Sequence, residues 1–241
     1  MKRLTTLIVL VALLVVALPT QAQGDATPIA YGETVQGEIT NGSYEVFYTF
    51  TGTAGDIVVA ELTQGEPYGS LYDPALILTD PAGSTLGMAS DFNSATLAAI
   101  LPEDGDYTLL VTREEGANAT DEGLFNLRLV KVEALEVGST VQGTVTSTEF
   151  AYYALQTDKP FTVSYEWGTG TLYPEVAITV MDNEGSLANL AFVSGLYLTN
   201  GSIGFEMPNA RGTENFIIVV RQPSWNYDTG LTADYSLTLE Q

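Results

Sequence analysis

The chain of 241 residues contains no cysteine and no histidine. Without cysteine it can form no disulfide, no thiolate nucleophile, no thiolate metal site and no lipidated amino terminus. Without histidine it has no Ser-His-Asp triad, lacks the usual zinc ligand and loses the commonest general base. Any chemistry falls to carboxylates, hydroxyls, amides and aromatic rings. Basic residues are also scarce: 8 Lys and Arg stand against 30 Asp and Glu, a formal net charge of −22. Nucleic acid and anionic lipid are bound by clustered Lys and Arg, so neither is an expected partner. An acidic surface favours solubility and attracts cations. Long apolar runs are confined to residues 7–18, and no amphipathic helical pattern follows them.

That single run belongs to a leader. Met1-Lys2-Arg3 is basic, and Pro19-Thr20-Gln21-Ala22 supplies small residues at the far side. The pattern reads as a signal peptide over residues 1–22, cleaved after Ala22 so that the mature chain begins at Gln23. The run is too short to span a bilayer comfortably. The mature protein is therefore expected to be soluble, secreted or held in the cell envelope, without membrane insertion. Loss of Lys2 and Arg3 takes its formal charge from −22 to −24.

The rest of the chain is one unit written twice, over residues 23–132 and 134–241. Val35-Gln36-Gly37 is answered by Val141-Gln142-Gly143, and Phe47-Tyr48 by Tyr152-Tyr153. Leu76-x-Leu78-x-Asp80-x-x-Gly83 is answered by Ile178-x-Val180-x-Asp182-x-x-Gly185. Tyr107 to Val111 matches Phe216 to Val220, and Phe125-x-Leu127-x-Leu129 matches Tyr235-x-Leu237-x-Leu239. The spacing between matches drifts, which places insertions in loops.

The dominant period is two, as in half-buried strands, and the runs are rich in Val, Ile, Thr, Tyr and Phe. Turn signals such as Asn41-Gly42 and Asp80-Pro81-Ala82-Gly83 separate them. Each unit yields about eight short strands, which predicts an all-β fold of two tandem sandwiches, with a closed barrel as the alternative. Each unit is long enough to bury its own core. The join, Lys131-Val132-Glu133-Ala134-Leu135-Glu136, has no Gly, Pro or Ser run. Limited play and only a modest contact between the units are expected.

The order of landmarks resembles the bacterial pre-peptidase C-terminal domain family. The resemblance rests on Gly32-x-x-Val35-x-Gly37, Phe47-Tyr48-Thr49-Phe50 and Ala54-Gly55-Asp56 leading into Ile57. It continues through Asp73-Pro74-x-Leu76-x-Leu78-x-Asp80-Pro81-x-Gly83, Leu101-Pro102-x-x-Gly105-x-Tyr107 and Gly123-x-Phe125-x-Leu127. The second unit departs from it: Asp158-Lys159-Pro160 replaces Ala-Gly-Asp, and Glu175-Val176 replaces Asp-Pro. The resemblance implies a jelly-roll-like β-sandwich in a secreted, non-catalytic accessory module. Such modules often stand beside proteases and sometimes bind calcium or insoluble polymers.

With antiparallel strands, the loops after the third and seventh strands of each unit meet at one end. In the second unit these loops carry Trp167, Tyr173, Trp225 and Tyr227, candidate ligand-binding residues for an extracellular glycan or protein. Alternatively the two tryptophans plug the end of the core. In the first unit the same loops carry Glu66, Asp73, Glu114, Asp121 and Glu122, candidate calcium ligands. They lack an Asp-x-Asp-x-Asp-Gly spacing, and a solvated acidic surface is the other reading. The functional expectation is an exported, non-enzymatic binding or accessory module. The alternatives are a structural or adhesive envelope protein with a protein partner and, more remotely, a carboxylate-based hydrolase.

Overall fold

Alternating apolar and polar side chains make strands with one dry face, and turn residues cut those strands to length. The structure is a computed structural model and describes residues 26–65, 71–181, 185, 187–194, 200–205, 214–223 and 228–241. The first unit forms β1 (Thr27–Pro28), β2 (Thr34–Ile39), β3 (Val46–Gly52), β4 (Ile57–Gln64), β5 (Pro74–Thr79), β6 (Thr85–Ser90), β7 (Ser94–Ile100), β8 (Gly105–Arg113) and β9 (Gly123–Lys131). The second forms β10 (Glu133–Ala134), β11 (Thr140–Thr146), β12 (Ala151–Thr157), β13 (Phe161–Gly170), β14 (Glu175–Met181), β15 (Leu187–Ser194), β16 (Asn200–Phe205), β17 (Glu214–Arg221) and β18 (Thr232–Glu240).

Pairing is nested. β2 joins β9, β3 joins β8, β4 joins β7 and β5 joins β6. The second unit repeats this as β11 with β18, β12 with β17, β13 with β16 and β14 with β15. A long antiparallel ribbon rolled up in this way is a jelly roll. Its sheets run β1-β3-β8-β5-β6 and β2-β9-β4-β7, then β10-β12-β17-β14-β15 and β11-β18-β13-β16. The expected eight-stranded sandwich is thus present twice, each with a two-residue parallel strand added, β1 or β10.

One shared glycine shows how the motif serves the fold. A Cβ on Gly37 would lie 2.3 Å from the Phe125 ring, and one on Gly143 would lie 2.5 Å from the Tyr235 hydroxyl. In both units the glycine lets an aromatic ring from the paired strand lie across it.

Each sandwich has its own core, around Leu62, Leu78 and Leu109 in the first and Val163, Ile178 and Ile218 in the second. A third buried cluster lies between them. Val59, Ala98 and Val132 of the first unit meet Tyr152, Ala154, Ala177, Ile217 and Val219 of the second. The outer face of the first four-stranded sheet therefore packs on the outer face of the second five-stranded sheet. The four sheets lie in layers, and the two inner ones are covered on both sides. Their strands show it: Ile57-Val58-Val59-Ala60 and Phe216-Ile217-Ile218-Val219-Val220 are apolar without alternation. The modest contact expected at the join is corrected to an apolar seam. Each fully buried aliphatic side chain there contributes roughly 1.5–3 kcal/mol.

Among the described residues, charge enters the seam at Glu61 and Arg128. Glu61 on β4 accepts Arg128 Nη1 from the neighbouring β9 at 2.9 Å and the Tyr152 hydroxyl from β12. Arg128 Nη1 also donates to the Phe150 carbonyl at 2.8 Å. Burial holds the Glu61 carboxyl above the ordinary carboxylate range, against the opposing pull of Tyr152 and Arg128. Burial, and then the Glu61 charge, push the Tyr152 hydroxyl well above its usual range. The join is pinned on both sides, by Val132 N–H to Ile57 O and Leu135 N–H to Ala154 O, each 2.8 Å.

Strand register corrects one landmark. Along the sequence Leu76 matches Ile178. In the sheets Leu78 pairs with Leu109 as Ile178 pairs with Ile218, and a β-bulge follows Leu78 and Ile178 alike. Leu78 is the true counterpart of Ile178. The β14–β15 hairpin, with strands of 7 and 8 residues against 6 and 6 in β5 and β6, is longer. Its turn reaches the first sandwich, where the Gly185 carbonyl accepts the Ala98 N–H at 2.8 Å.

Candidate functional site

The ends of β4 and β8 and the starts of β5 and β9 meet at one end of the first sandwich, as the strand order requires. Between them lies a pocket of ≈ 450 Å³ lined by Tyr72, Asp73, Arg113, Glu114, Asn118 and Asp121, among others. Arg113 is its anchor and is only 2% exposed. Its Nε donates to Gly116 O at 2.7 Å, and its Nη1 donates to Asp121 O at 2.6 Å and Asn41 Oδ1 at 3.1 Å. The guanidinium also sits 5.4 Å from the centre of the Tyr44 ring. A hydrogen bond from Glu114 N–H to Asp73 O, 3.0 Å, closes the loop base.

At the lip of this pocket two aromatic rings stand in solvent. Tyr72, 45% exposed, stacks on Phe92, 62% exposed, with ring centres 5.7 Å apart and planes 25° from parallel. They come from different loops. Buried Gln64 ties the loops together: its amide donates to Leu71 O and, at 2.5 Å, to Asn93 Oδ1. Asp73 and Asn93, beside the two rings, both take positive φ, 46° and 68°, which few non-glycine residues adopt. Phe92 was missed in the sequence reading. Its signal was a large apolar side chain in a turn, between Asp91 and Asn93.

The five candidate calcium ligands are not gathered into one shell. Asp73, Glu114 and Asp121 line the pocket, while the Glu122 carboxylate accepts the Asn41 N–H. Glu66 lies outside the described residues. Among the described residues no three acidic side chains converge on a point that would hold a metal. Calcium also needs loop carbonyls, and those of Gly116 and Asp121 are turned onto Arg113. Among the described residues these side chains form no calcium shell, and the Arg113 guanidinium is the cation that lines this pocket.

In the second sandwich Trp167 occupies the place of Gln64, since Trp167 faces Tyr235 as Gln64 faces Phe125. It is half-buried, packs on the core, and lies 4.8 Å from the Tyr165 ring. Its Nε1 and the Tyr165 hydroxyl have no hydrogen-bond partner among the described residues. Tyr173 is 55% exposed, and Arg221 pairs with Glu175 at 2.8 Å. Trp225 and Tyr227 lie outside the described residues. Of the two aromatics described at this end, one is set against the core and one stands in water.

Comparison with known proteins gives a distant likeness. The chain is 29% identical over 132 residues to a probable subtilase-type serine protease of Deinococcus radiodurans. The match takes in 49% of this chain and 18% of that protein, so this chain corresponds to less than a fifth of its relative. No protein-family profile matches the chain. No helix among the described residues is long and apolar enough to cross a membrane.

Proposed function

We propose that this chain is an exported, non-catalytic binding module that holds an extracellular polymer, glycan or protein, at the loop end of its first sandwich. The observation that carries this reading is the solvent-exposed Tyr72–Phe92 stack at the lip of a polar pocket. Flat apolar rings bind the faces of sugars and peptide side chains, while Asp73, Asn118 and Glu114 offer hydrogen bonds that orient them. Arg113 is committed to loop oxygens, so it shapes the pocket and holds the acidic loops around it. The resemblance to pre-peptidase C-terminal modules and the partial likeness to a subtilase-type protease support an accessory role outside the cytoplasm.

Binding of the mature chain to a glycan array, insoluble polysaccharides and immobilised matrix proteins tests the reading. Phe92→Ala and Tyr72→Ala should each weaken the retained interaction about tenfold, the equivalent of about 1.4 kcal/mol, without lowering the melting temperature. Binding that survives both substitutions would remove the aromatic stack from the site. Export has its own test: secreted protein should begin at Gln23, and an intact Met1 would refute cleavage.

A further inference from the structure

The outer face of the second five-stranded sheet is buried on its three central strands, with Phe192 on the edge strand 64% exposed, and its counterpart in the first sandwich is open. In the second sandwich a row of side chains crosses the sheet from Tyr152 to Val219, Ala177 and Phe192. Tyr152, Val219 and Ala177 are buried in the seam. At the same places the first sandwich carries Phe47, Leu110, Ile77 and Met88, again side by side on four strands. None of these four belongs to a buried cluster, and Met88 is 55% exposed.

We propose that this face, on β3, β8, β5 and β6, docks a separate protein whose contact surface has an apolar centre and a rim of Lys and Arg. The centre follows from the fold's own precedent, because Tyr152, Val219 and Ala177, at the places of Phe47, Leu110 and Ile77, are the ones this protein uses to bury a sheet against a sheet. The rim follows from charge. Glu45, Asp73 and Asp91 bound the face at one end, and Asp80, Asp104 and Asp106 bound it at the other. The four strands carry one basic side chain, Arg113, which is buried. Between these ends the face is uncharged: Thr49, Thr108 and Thr79 form the row beside the apolar one. An acidic rim around an uncharged centre repels the same face of a second copy and repels anionic lipid. It attracts a basic rim, with a pull that weakens as salt rises.

The test places a photo-reactive residue at Thr108 in the full chain, made in its producing cell, with Ser164 on the opposite outer face as control. Thr108 should give one adduct with a second protein, and Ser164 none. That protein, identified, purified and titrated onto the mature chain by calorimetry, should lose about tenfold in affinity to Ile77→Thr with Leu110→Thr. Added salt should weaken it further. The threonines copy their neighbours on the face, so circular dichroism and melting should hold. Should that pair fail to fold, Met88→Thr, whose side chain stands in solvent, should still weaken binding about threefold. An adduct with a second copy of the chain or with lipid, no adduct, or binding indifferent to these substitutions would overturn the proposal.

Discussion

Val59, Glu61, Ala98, Arg128 and Val130 on the first four-stranded sheet hold the places of Thr162, Ser164, Gly204, Thr238 and Glu240 on the second. The five-stranded sheets differ in the opposite sense: Thr49 and Thr108 in the first become Ala154 and Ile217 in the second. Inward positions keep their character, because both sandwiches need the same core. Outward positions decide which sheet meets which. The first four-stranded face and the second five-stranded face are apolar together, and the hydroxyl-rich last sheet closes the stack as a polar cap does in repeat proteins.

Cutting the chain between the sandwiches tests this difference hardest. Residues 24–132 and 134–241 each hold a complete core, so each half should show β-type circular dichroism and a cooperative melt. Each also bares half of the seam, so the halves should associate on mixing, seen by size exclusion. Folded halves that ignore each other would make the seam passive, and unfolded halves would make the two sandwiches one unit.

Removing one partner of the buried pair comes next. Arg128→Met leaves Glu61 uncompensated in the seam and should cost about 3–5 kcal/mol in denaturant unfolding. Glu61→Leu added to it should recover most of that loss. Sign and pH follow from burial. Glu61 holds its proton more tightly when folded, so its contribution is fullest below the unfolded value of about 4.3 and is lost as pH rises through the folded one. Without Arg128 that loss deepens, so the deficit should be largest at neutral pH and shrink towards pH 4. A pH-independent deficit would mean that Glu61 is not the group left behind. Thr238→Val, at the Arg128 place in the second sandwich, should stay within about 0.5 kcal/mol.

A reciprocal exchange sharpens the comparison of the five-stranded sheets. Ile217→Thr should cost about 2 kcal/mol, because it puts a hydroxyl into the seam and removes apolar area. Thr108→Ile should change stability by less than about 0.5 kcal/mol. Equal effects would show that the two faces are used alike.

The smallest contrast is between two turn glycines. Gly83 and Gly185 have φ of +84° and +85°, so alanine at either should cost about 1 kcal/mol of left-handed strain. Only at Gly185 would the new Cβ meet a neighbour, 2.8 Å from Ala98 O; at Gly83 the space is open. Gly185→Ala should therefore cost about 1 kcal/mol more. Identical melting shifts would deny the contact between the hairpin and β7.

The repeat, the eight strands per unit and the meeting of the β4–β5 and β8–β9 loops were legible in the sequence, because alternation and turn residues are local signals. The run before Leu101-Pro102 is a strand, Ser94–Ile100, matched by Asn200–Phe205 in the second unit. The seam was legible and was not read. Phe216 to Val220 matches Tyr107-Thr108-Leu109-Leu110-Val111 in order, yet its unbroken apolarity marks a strand covered on both faces. The Leu76–Ile178 match failed for another reason. A bulge and a longer hairpin let the Asp-x-x-Gly turn slide by two residues relative to the sheet, and only pairing reveals that. The Tyr72–Phe92 stack joins loops distant in sequence through Gln64, and no local signal links Gln64 to Asn93.

Strand β7 is the last in its sheet, and a bare strand edge is a template on which other chains can add and grow into fibres. The Ala98 N–H points out of that edge, and the Gly185 carbonyl takes it up. On the opposite edge β2 exposes Glu38, a charge of the kind that discourages such growth. The second sandwich is therefore a stopper as well as a neighbour: a proteolytic nick at the join that released it would open an apolar face and a growing edge at the same moment.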